Sequence, residues 1–393
     1  MKSMLLNQQY LFTPGPTPIP ERVKLAMNQP MIGHRGQAFS QLLEDVSTRL
    51  APIFGSKNPV LLIAGSGTSA LETAVANVIE DNDHVVVIVT GAFGERFANI
   101  CEAFGANVHR LNIEWGKTCA PEILEDYIKK IDVDVKAVFA TYCETSTGVL
   151  NPIRQLGEIT KRLTDALFIV DGVSCIGAVP VDMEEWEIDI LVSGSQKALM
   201  LPPGLAFIAI NEHAKKVIKT CKTKRFYFDL NRYQSSFDKD KSTPFTPAVS
   251  LIYGAQEVCQ MIEEEGFSQV IERQQLLKKM VREGIKALDL PMFVSDEDAS
   301  PTVTAVKPMN GTAGQIKKLL QDNYSITVAG GQKKLKGEIF RIGHMGYCTP
   351  FDILKILSGL EMSLYDLDGR KVFGNATTIA EEAWRNHVQN TSN

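Results

Sequence analysis

Short apolar runs alternate with amphipathic stretches from residue 60 to residue 210. The chain contains seven such runs: VLLIA (60–64), HVVVIVT (84–90), NVHRL (107–111), KAVFATY (136–142), ALFIVD (166–171), IDILVSG (188–194) and LAFIAI (205–210). Continuous apolar runs are typical of strands that are buried on both faces of a sheet. Between several runs, apolar residues recur at helical spacing, as do Leu71, Ala74, Val75 and Val78. The alternation predicts an α/β fold with a mostly parallel, seven-stranded sheet.

The connection between the sixth and seventh runs bears on the topology. Residues 195–204 are too few for the helical crossover that a parallel neighbour would require. We therefore expect the seventh strand to run antiparallel to the sixth, in a sheet that carries helices on both faces.

The pattern changes near Asp238. The stretch DKDKSTPFTP (238–247) is polar and contains two prolines, so it predicts a loop. Beyond it, the pattern predicts helices at 248–264 and 267–288, a strand at 302–307, a helix from Ala313, and strands in TVAG (327–330) and EIFRIG (338–343). We expect an N-terminal arm (1–15), a large α/β domain (16–262), a smaller α+β domain (263–365) and a polar tail (366–393) with one short helical pattern near AEEAW.

The composition is that of an ordinary globular protein. The chain has 393 residues, of which 44% are hydrophobic and 22% charged, and its formal net charge is -5. That charge argues against nucleic acid or an anionic membrane as a partner. No apolar stretch approaches the length of a membrane span, and MKSMLLNQQYLF is too weakly apolar for a secretory signal. Seven scattered cysteines without CxxC indicate reduced thiols, so we expect a cytoplasmic protein.

The first strand is followed by a candidate anion site. The segment GSGTS (65–69) opens a helix, and its backbone N–H groups and hydroxyls could hold an anion, most simply a phosphate. Helix capping without any ligand explains these residues equally well. The segment lacks the GK[ST] ending of a Walker loop and does not read GxGxxG.

Three further strand ends carry candidate residues. Phe93, in GAFG (91–94), could lie on a flat ligand ring, although an aromatic residue at this place is more often part of a core. ETSTG (144–148) offers hydroxyls for a polar ring substituent. Asp171 directly follows LFIV, so it is expected to be partly buried. It is either a structural carboxylate or a fixed charge that faces a cationic ring nitrogen.

Lys197 follows the sixth strand, where an amine loses solvation. It is either a loop lysine whose stem packs on apolar neighbours or a reactive amine. Ligands of open α/β sheets bind at the carboxyl ends of the strands. A phosphate cradle, an aromatic ring, a carboxylate and a lysine at that edge fit pyridoxal phosphate, which has a phosphate, a pyridinium ring and an aldehyde. The sequence therefore predicts that Lys197 binds this cofactor and that Asp171 faces its ring nitrogen.

An ordered set of motifs resembles the class V aminotransferases of fold type I, particularly the alanine–glyoxylate / serine–pyruvate aminotransferase group. The set runs from TPGPTPIPERV (13–23) to about Tyr365 and includes GSGTSALETAV, GAFGERF, CETSTGVLNP, IVDGVSCIGAVPVD, DILVSGSQKAL and FRIGHMG. The resemblance implies a homodimeric enzyme of amino acid metabolism that uses pyridoxal phosphate. Such an enzyme moves an amino group from a small amino acid, such as alanine or serine, to a small 2-oxo acid, such as glyoxylate or pyruvate.

The resemblance also assigns roles to residues. It makes Lys197 the cofactor-bound lysine and proton carrier, and Asp171 the partner of the pyridine nitrogen. The remaining cofactor contacts that it implies are Phe93 over the ring, Val173 under it, Thr147 near the ring oxygen, and Ser66, Gly67, Thr68 and Gln196 on the phosphate. The neighbouring subunit would add Thr246 and, as the weaker match, Thr243. The implied substrate residues are Arg341 on the carboxylate, Gly15 at the mouth, and His34.

Two departures bear on the substrate. Phe93 stands where the animal alanine–glyoxylate enzymes carry a tryptophan, and HRG (34–36) resembles the bacterial branch of the family. The resemblance does not extend to the tail after Tyr365.

Two other functions stay open at this point. A cysteine desulfurase or another lyase needs a mobile nucleophilic cysteine ahead of Arg341, but AGGQKKLKG (329–337) contains none and Cys348 lies beyond it. A non-catalytic subunit that merely binds the cofactor would not need Lys197, Asp171 and Arg341 together. We expect no metal, nucleic acid or membrane to take part.

Overall fold

A computed structural model describes residues 9–391 of the chain. The first eight residues of the predicted arm and the last two of the predicted tail lie outside the described residues. The strands are β1 (Tyr10–Phe12), β2 (Leu61–Gly65), β3 (His84–Val89), β4 (Asn107–Asn112), β5 (Val135–Thr141), β6 (Cys143–Glu144), β7 (Val149–Leu150), β8 (Leu167–Asp171), β9 (Ile190–Gly194), β10 (Gly204–Ile210), β11 (Val303–Val306), β12 (Ile326–Gly330) and β13 (Phe340–Gly343).

Thirteen α-helices are described alongside these strands. They are α1 (Glu21–Met27), α2 (Gln37–Ile53), α3 (Gly67–Ala76), α4 (Ala92–Ala103), α5 (Pro121–Ile128), α6 (Ile153–Leu163), α7 (Glu212–Thr220), α8 (Leu230–Asp240), α9 (Val249–Glu265), α10 (Phe267–Ala287), α11 (Ala313–Tyr324), α12 (Pro350–Asp368) and α13 (Asn375–Thr391). No helix in the described part of the chain is long and apolar enough to cross a membrane.

The seven predicted strands form one sheet, in the order β2-β10-β9-β8-β5-β3-β4. All neighbouring pairs are parallel except the two that involve β10, which runs antiparallel to β9 and to β2. The predicted fold class and the reversed seventh strand are therefore confirmed. Every residue of β8 and β9 is buried, because helices such as α3 and α6 pack onto the sheet.

A second, four-stranded sheet has the order β1-β12-β13-β11. Strand β1 pairs parallel with β12, with Phe12 opposite Val328, so this part of the predicted arm belongs to the second sheet. The apolar side chains of the sheet share a core with helices α10 to α13. The predicted domain boundaries stay predictions, although the two apolar cores divide the chain in a similar way.

Two segments differ from the sequence pattern. Helix α8 continues to Asp240, so the predicted loop at 238–247 begins only at Lys241, which has a left-handed conformation with φ 47°. The predicted tail carries a helix of 17 residues, α13, rather than a short helical pattern. The N-terminus of α13 is fixed by the buried Glu361 of α12, whose carboxylate accepts hydrogen bonds from the N–H groups of Gly374, Ala376 and Thr377.

Candidate active site

A cavity of about 200 Å³ lies at the carboxyl ends of the central strands of the large sheet. Its walls come from the starts of α3 and α4, from β6, and from the segments that follow β8 and β9. Asp171, at the end of β8, is level with Thr141 on β5 and Val192 on β9, which explains why the strand ends meet here. The cavity is lined by eight of the predicted site residues: Ser66, Gly67, Thr68, Phe93, Asp171, Val173, Gln196 and Lys197.

A larger cavity, of about 310 Å³, is lined by residues that include Ala198, Met261 and Tyr347. Its charged residues, Glu265 and Arg273, already form an ion pair at 2.6 Å. Since none of the predicted site residues lines it, the smaller cavity is the candidate active site.

Lys197 is held tightly by the segment that follows β1. Its Nζ donates a hydrogen bond to the carbonyl of Pro14, and its own carbonyl accepts one from Thr17 Oγ1 at 3.0 Å. A Cβ on Gly15 would lie 2.7 Å from Nζ, and Gly15 has φ +104°, so only glycine fits there. Burial lowers the pKa of Lys197 to about 8, and the Arg341 guanidinium lowers it as well. The amine is therefore partly uncharged near neutral pH.

Asp171 is 3% exposed and uses one carboxylate oxygen within the chain. Oδ1 accepts a hydrogen bond from the backbone N–H of Val173 at 2.9 Å, while no described residue donates to Oδ2. Burial raises the pKa of Asp171 to about 6, and the neighbouring charge of Glu144 also raises it. A cationic N–H group in the cavity would find a free acceptor here and would favour the ionised carboxylate.

The start of α3 forms the proposed anion cradle. Ser66 is the N-cap of this helix, and its hydroxyl accepts a hydrogen bond from Ser69 N. A Cβ on Gly67 would lie 2.9 Å from the methyl groups of Val173, so a larger residue there would clash with Val173. The side-chain oxygen of Gln196 is buried without a hydrogen-bond partner. Turning this amide group by half a rotation would present its NH₂ donors instead.

Glu144 has a role that the sequence reasoning missed. It has no exposed surface, and its carboxylate accepts hydrogen bonds from the backbone N–H groups of Phe93 and Gly94 at the start of α4. Ser146 donates to the same carboxylate through its hydroxyl, at 2.5 Å. Since a Cβ on Gly91 would lie 2.4 Å from the Glu144 side chain, glycine is required there too. The carboxylate thereby fixes the position of Phe93 at the cavity.

Thr147 does not line the cavity. Its hydroxyl donates to the carbonyl of Glu144 at 3.2 Å, inside the turn between β6 and β7. Thr145 lines the cavity instead, and its hydroxyl donates to Ser174, another lining residue. The role of Thr147 near a ring oxygen stays a prediction. Thr145 is the threonine of this segment that lines the cavity.

Arg341 is 5% exposed and contacts the backbone of Thr145, a residue that lines the cavity. Its guanidinium donates to the carbonyl of Gly330, at 3.0 Å from Nε and 2.7 Å from Nη2, and to the carbonyl of Thr145 at 2.8 Å. No carboxylate of the described residues lies within ion-pair distance of this guanidinium. Burial lowers its pKa to about 10. Arg341 is thus a buried cation without a paired anion among residues 9–391.

The residues predicted to serve the neighbouring subunit lie outside this cavity. Thr243 is buried, and its hydroxyl donates to the carbonyl of Phe245 at 2.7 Å. Thr246 is exposed. His34 is partly exposed and does not line the cavity. Its neighbour Arg35 donates to the carbonyl of Thr243 and so ties the 34–36 turn to this loop.

Two further cavity residues were missed. Arg96 of α4 lies one helical turn beyond Phe93, with its guanidinium carbon 4.8 Å from the centre of that ring. Cys143 donates a hydrogen bond from Sγ to Ser300, and burial raises the pKa of its thiol to about 11. The arginine could have been suspected from its helical spacing, whereas no pattern in the sequence marks the thiol.

The donors and acceptors of the cavity fit pyridoxal phosphate. The amine of Lys197 suits an aldehyde, and the free oxygen of Asp171 suits a ring N–H group. The unpartnered Gln196 and the start of α3 suit a phosphate. Phe93 and Val173 provide apolar surface for a flat ring.

A mostly parallel seven-stranded sheet with this cavity at its carboxyl edge defines a pyridoxal-phosphate-dependent transferase of fold type I. The chain belongs to the class V aminotransferase family, whose sequence profile matches residues 9–347. The chain is accordingly an aminotransferase, and pyridoxal phosphate is its cofactor.

Relatives of nearly the same length support this assignment. An uncharacterized aminotransferase of Methanocaldococcus jannaschii is 42% identical over 95% of this chain and 97% of its own. The small subunit of a soluble hydrogenase of a Synechococcus strain is 40% identical, over 92% and 94%. Serine–glyoxylate aminotransferase of Arabidopsis thaliana is 31% identical, over 97% and 96%. The crystal structure of ureidoglycine–glyoxylate aminotransferase from Bacillus subtilis, 33% identical, matches with a TM-score of 0.90 over 96% and 98% of the two chains.

The lowered pKa of Lys197 predicts how fast the cofactor-free chain captures pyridoxal. Only the uncharged amine attacks an aldehyde, so the capture rate should rise with pH through a midpoint near 8. A solvated lysine would give a midpoint of about 10.4. Stopped-flow absorbance at a series of pH values measures this rate, and Lys197→Ala shows which signal belongs to this lysine. A midpoint above 10 would mean that Lys197 is not desolvated.

Proposed function

We propose that the chain transfers the amino group of a small amino acid, serine or alanine, to glyoxylate or pyruvate. The observation that carries this proposal is the buried Arg341 guanidinium. It has no paired anion among the described residues, and it lies close enough to Lys197 to lower the pKa of the lysine. An α-carboxylate is common to all of these donors and acceptors, and a planar guanidinium binds a carboxylate through two parallel hydrogen bonds. The named glyoxylate aminotransferases among the relatives support this choice of acceptor.

The size of the cavity supports small substrates. Its volume of about 200 Å³ has to hold the cofactor as well as the amino acid, so little of it is left for a donor side chain. The Gly15 segment lies against Lys197 and leaves no room for a Cβ atom at that position. The segment therefore closes the space beside the Lys197 amine on this side.

Asp171 and Lys197 act on different protons during the proposed reaction. When bound, pyridoxal phosphate supplies an aldehyde that captures amines and a protonated ring that draws electrons from the α-carbon of the amino acid. Asp171 keeps a proton on the ring nitrogen, because an ionised carboxylate favours the cationic form. Lys197 Nζ takes the proton from the α-carbon and returns it at the former aldehyde carbon, as general base and then general acid. Arg341 holds the α-carboxylate and so orients the bond that breaks.

A half-reaction screen tests the choice of substrates. Each amino acid is added alone to the cofactor-loaded enzyme, and loss of the visible cofactor band marks a donor. The amino form of the enzyme is then mixed with 2-oxo acids, and return of the band marks an acceptor. We expect serine or alanine, and glyoxylate or pyruvate, to react fastest, while Lys197→Ala gives no turnover. Larger donors that react faster would contradict the proposed substrate class.

The same screen separates the alternative functions. Sulfide release from cysteine would indicate a desulfurase, but burial raises the pKa of Cys143 to about 11 and that of Cys348 to about 12, which keeps both thiols protonated. A chain that binds the cofactor yet reacts with no amino acid would indicate a non-catalytic subunit, and one relative is named as the small subunit of a soluble hydrogenase.

Replacing Arg341 by lysine tests its proposed contact with the substrate. Lysine keeps the positive charge but loses the planar fork, so we expect kcat/KM to fall by the equivalent of about 2–5 kcal/mol. The loss should be similar for every donor and acceptor, and the cofactor absorption band should stay unchanged. Loss of the cofactor, or a fall in kcat/KM confined to substrates with particular side chains, would show that Arg341 contacts a group other than the α-carboxylate.

We further propose that the enzyme works as a cytoplasmic homodimer in which the 242–247 loop reaches the neighbour's phosphate site. Thr246 supports this, because it is exposed and does not line the cavity of its own chain. Phe226 also supports it, because 65% of this side chain is exposed and its ring lies 5.3 Å from that of Phe245 in the loop. The two neighbouring rings form an apolar patch, and adjoining apolar side chains at a surface mark interaction sites.

Thr246→Val tests the shared site, with Thr243→Val as the matched control. The first change removes an exposed hydroxyl, and we expect cofactor to dissociate several-fold faster from a dimer of unchanged stability. The second removes a hydroxyl bound within its own chain, and it should affect mainly the free energy of unfolding. Cofactor release and sedimentation velocity measure both effects. An active, cofactor-saturated monomer would refute the shared site.

A further inference from the structure

Arg96 occupies a distinctive position at the mouth of the cavity. Its Nη1 donates a hydrogen bond to Thr68 Oγ1 at 3.2 Å, and its guanidinium lies over the ring of Phe93. The contact joins α4 to the start of α3, so the arginine spans two elements of the cavity wall. A guanidinium over an aromatic ring keeps its N–H groups free at the edge, where they can bind an anion.

The charge of Arg96 is not paired with an anion in the part of the chain that the structure describes. No carboxylate of residues 9–391 lies within ion-pair distance of its guanidinium. Arg110 of β4 differs in this respect, because it forms ion pairs with Glu95 and Glu102 of α4, the helix that also carries Arg96. Of the described residues that line the cavity, only Lys197 and Arg96 are cationic. Since Lys197 binds the aldehyde of the cofactor, Arg96 is the cavity cation left for a second anionic group.

We propose that Arg96 binds the phosphate of the cofactor and completes the cradle formed by Ser66, Gly67, Thr68 and Gln196. A phosphate monoester carries a charge of about -1.5 to -2 at neutral pH. The hydroxyls, the amide and the start of α3 supply only dipoles, equivalent for the helix to about half a positive charge. Arg96 supplies a full charge together with directed N–H donors. The charge of Arg96 acts to lower the pKa values of Asp171 and Lys197, which agrees with its position among the residues that line the cavity.

A distal carboxylate of the donor is the other anion that Arg96 could bind. The contacts favour the phosphate, because Arg96 hydrogen-bonds to Thr68 of the cradle. Arg341, the proposed carboxylate residue, hydrogen-bonds instead to Gly330 and Thr145. The two arginines share no hydrogen-bond partner, so they serve different ends of the cavity.

The test compares ligands that differ only in the phosphate. Full-length cofactor-free enzyme is titrated with pyridoxal phosphate, pyridoxal and inorganic phosphate, for the native chain and for Arg96→Gln and Arg96→Lys. Arg154→Gln is the control, because Arg154 is a surface arginine of α6 that pairs with Glu158 and Glu185. Calorimetry gives each Kd without relying on catalytic activity.

We expect Arg96→Gln to weaken pyridoxal phosphate by at least about tenfold and to weaken inorganic phosphate as well, while pyridoxal changes by less than about twofold. Arg96→Lys should fall between the native chain and Arg96→Gln, and Arg154→Gln should match the native chain. Equal weakening of pyridoxal and pyridoxal phosphate would overturn the proposal, since it would place the effect on the ring through Phe93. Unchanged pyridoxal phosphate affinity would also overturn it.

Discussion

The carboxylate of Glu144 binds the start of α4, and the geometry of the cavity depends on this contact. A buried carboxylate is costly unless N–H or O–H donors surround it. Here the donors are the backbone of Phe93 and Gly94 and the hydroxyl of Ser146, and the positive end of α4 adds to them. Because the carboxylate cannot move without losing these bonds, the first turn of α4 is fixed. Phe93 and Arg96, which project from that turn and the next, are fixed with it.

The charges around the cavity influence one another because little solvent separates them. Glu144 raises the pKa of Asp171, although burial is the larger cause. Burial likewise lowers the pKa of Lys197, and the guanidinium groups of Arg341 and Arg96 act in the same direction. In the proposed complex, the phosphate and the α-carboxylate would each meet a guanidinium, that of Arg96 or Arg341, and the ring nitrogen would meet the carboxylate of Asp171. Fixed charges of this kind need no reorganisation when the ligand binds.

The sequence predicts the parts of this site that follow directly from strand ends. Asp171 and Lys197 come immediately after apolar runs, and a parallel sheet brings such ends to one edge. The role of Glu144 could not be predicted, since the pattern does not say which helix start its carboxylate meets. Arg96 depends on how α4 packs beside α3, which is a tertiary contact. Helix α13 was underestimated because its buried side is made of small residues, namely Ala376, Ala380 and Ala383.

The second sheet links Arg341, the proposed substrate residue, to Lys197, the proposed catalytic residue. Strand β13 carries Arg341 and ends at Gly343, where a Cβ would lie 2.3 Å from the carbonyl of Thr13. The chain continues from Thr13 to Gly15, which lies directly against Lys197 Nζ. Strand β1, which precedes this segment, belongs to the same sheet as β13. One rigid unit thus holds both the guanidinium that would grip the α-carboxylate and the backbone that positions the amine. The distance between the backbone of β13 and the segment beside Lys197 is set by sheet hydrogen bonds and by the close contacts of Gly343 and Gly15.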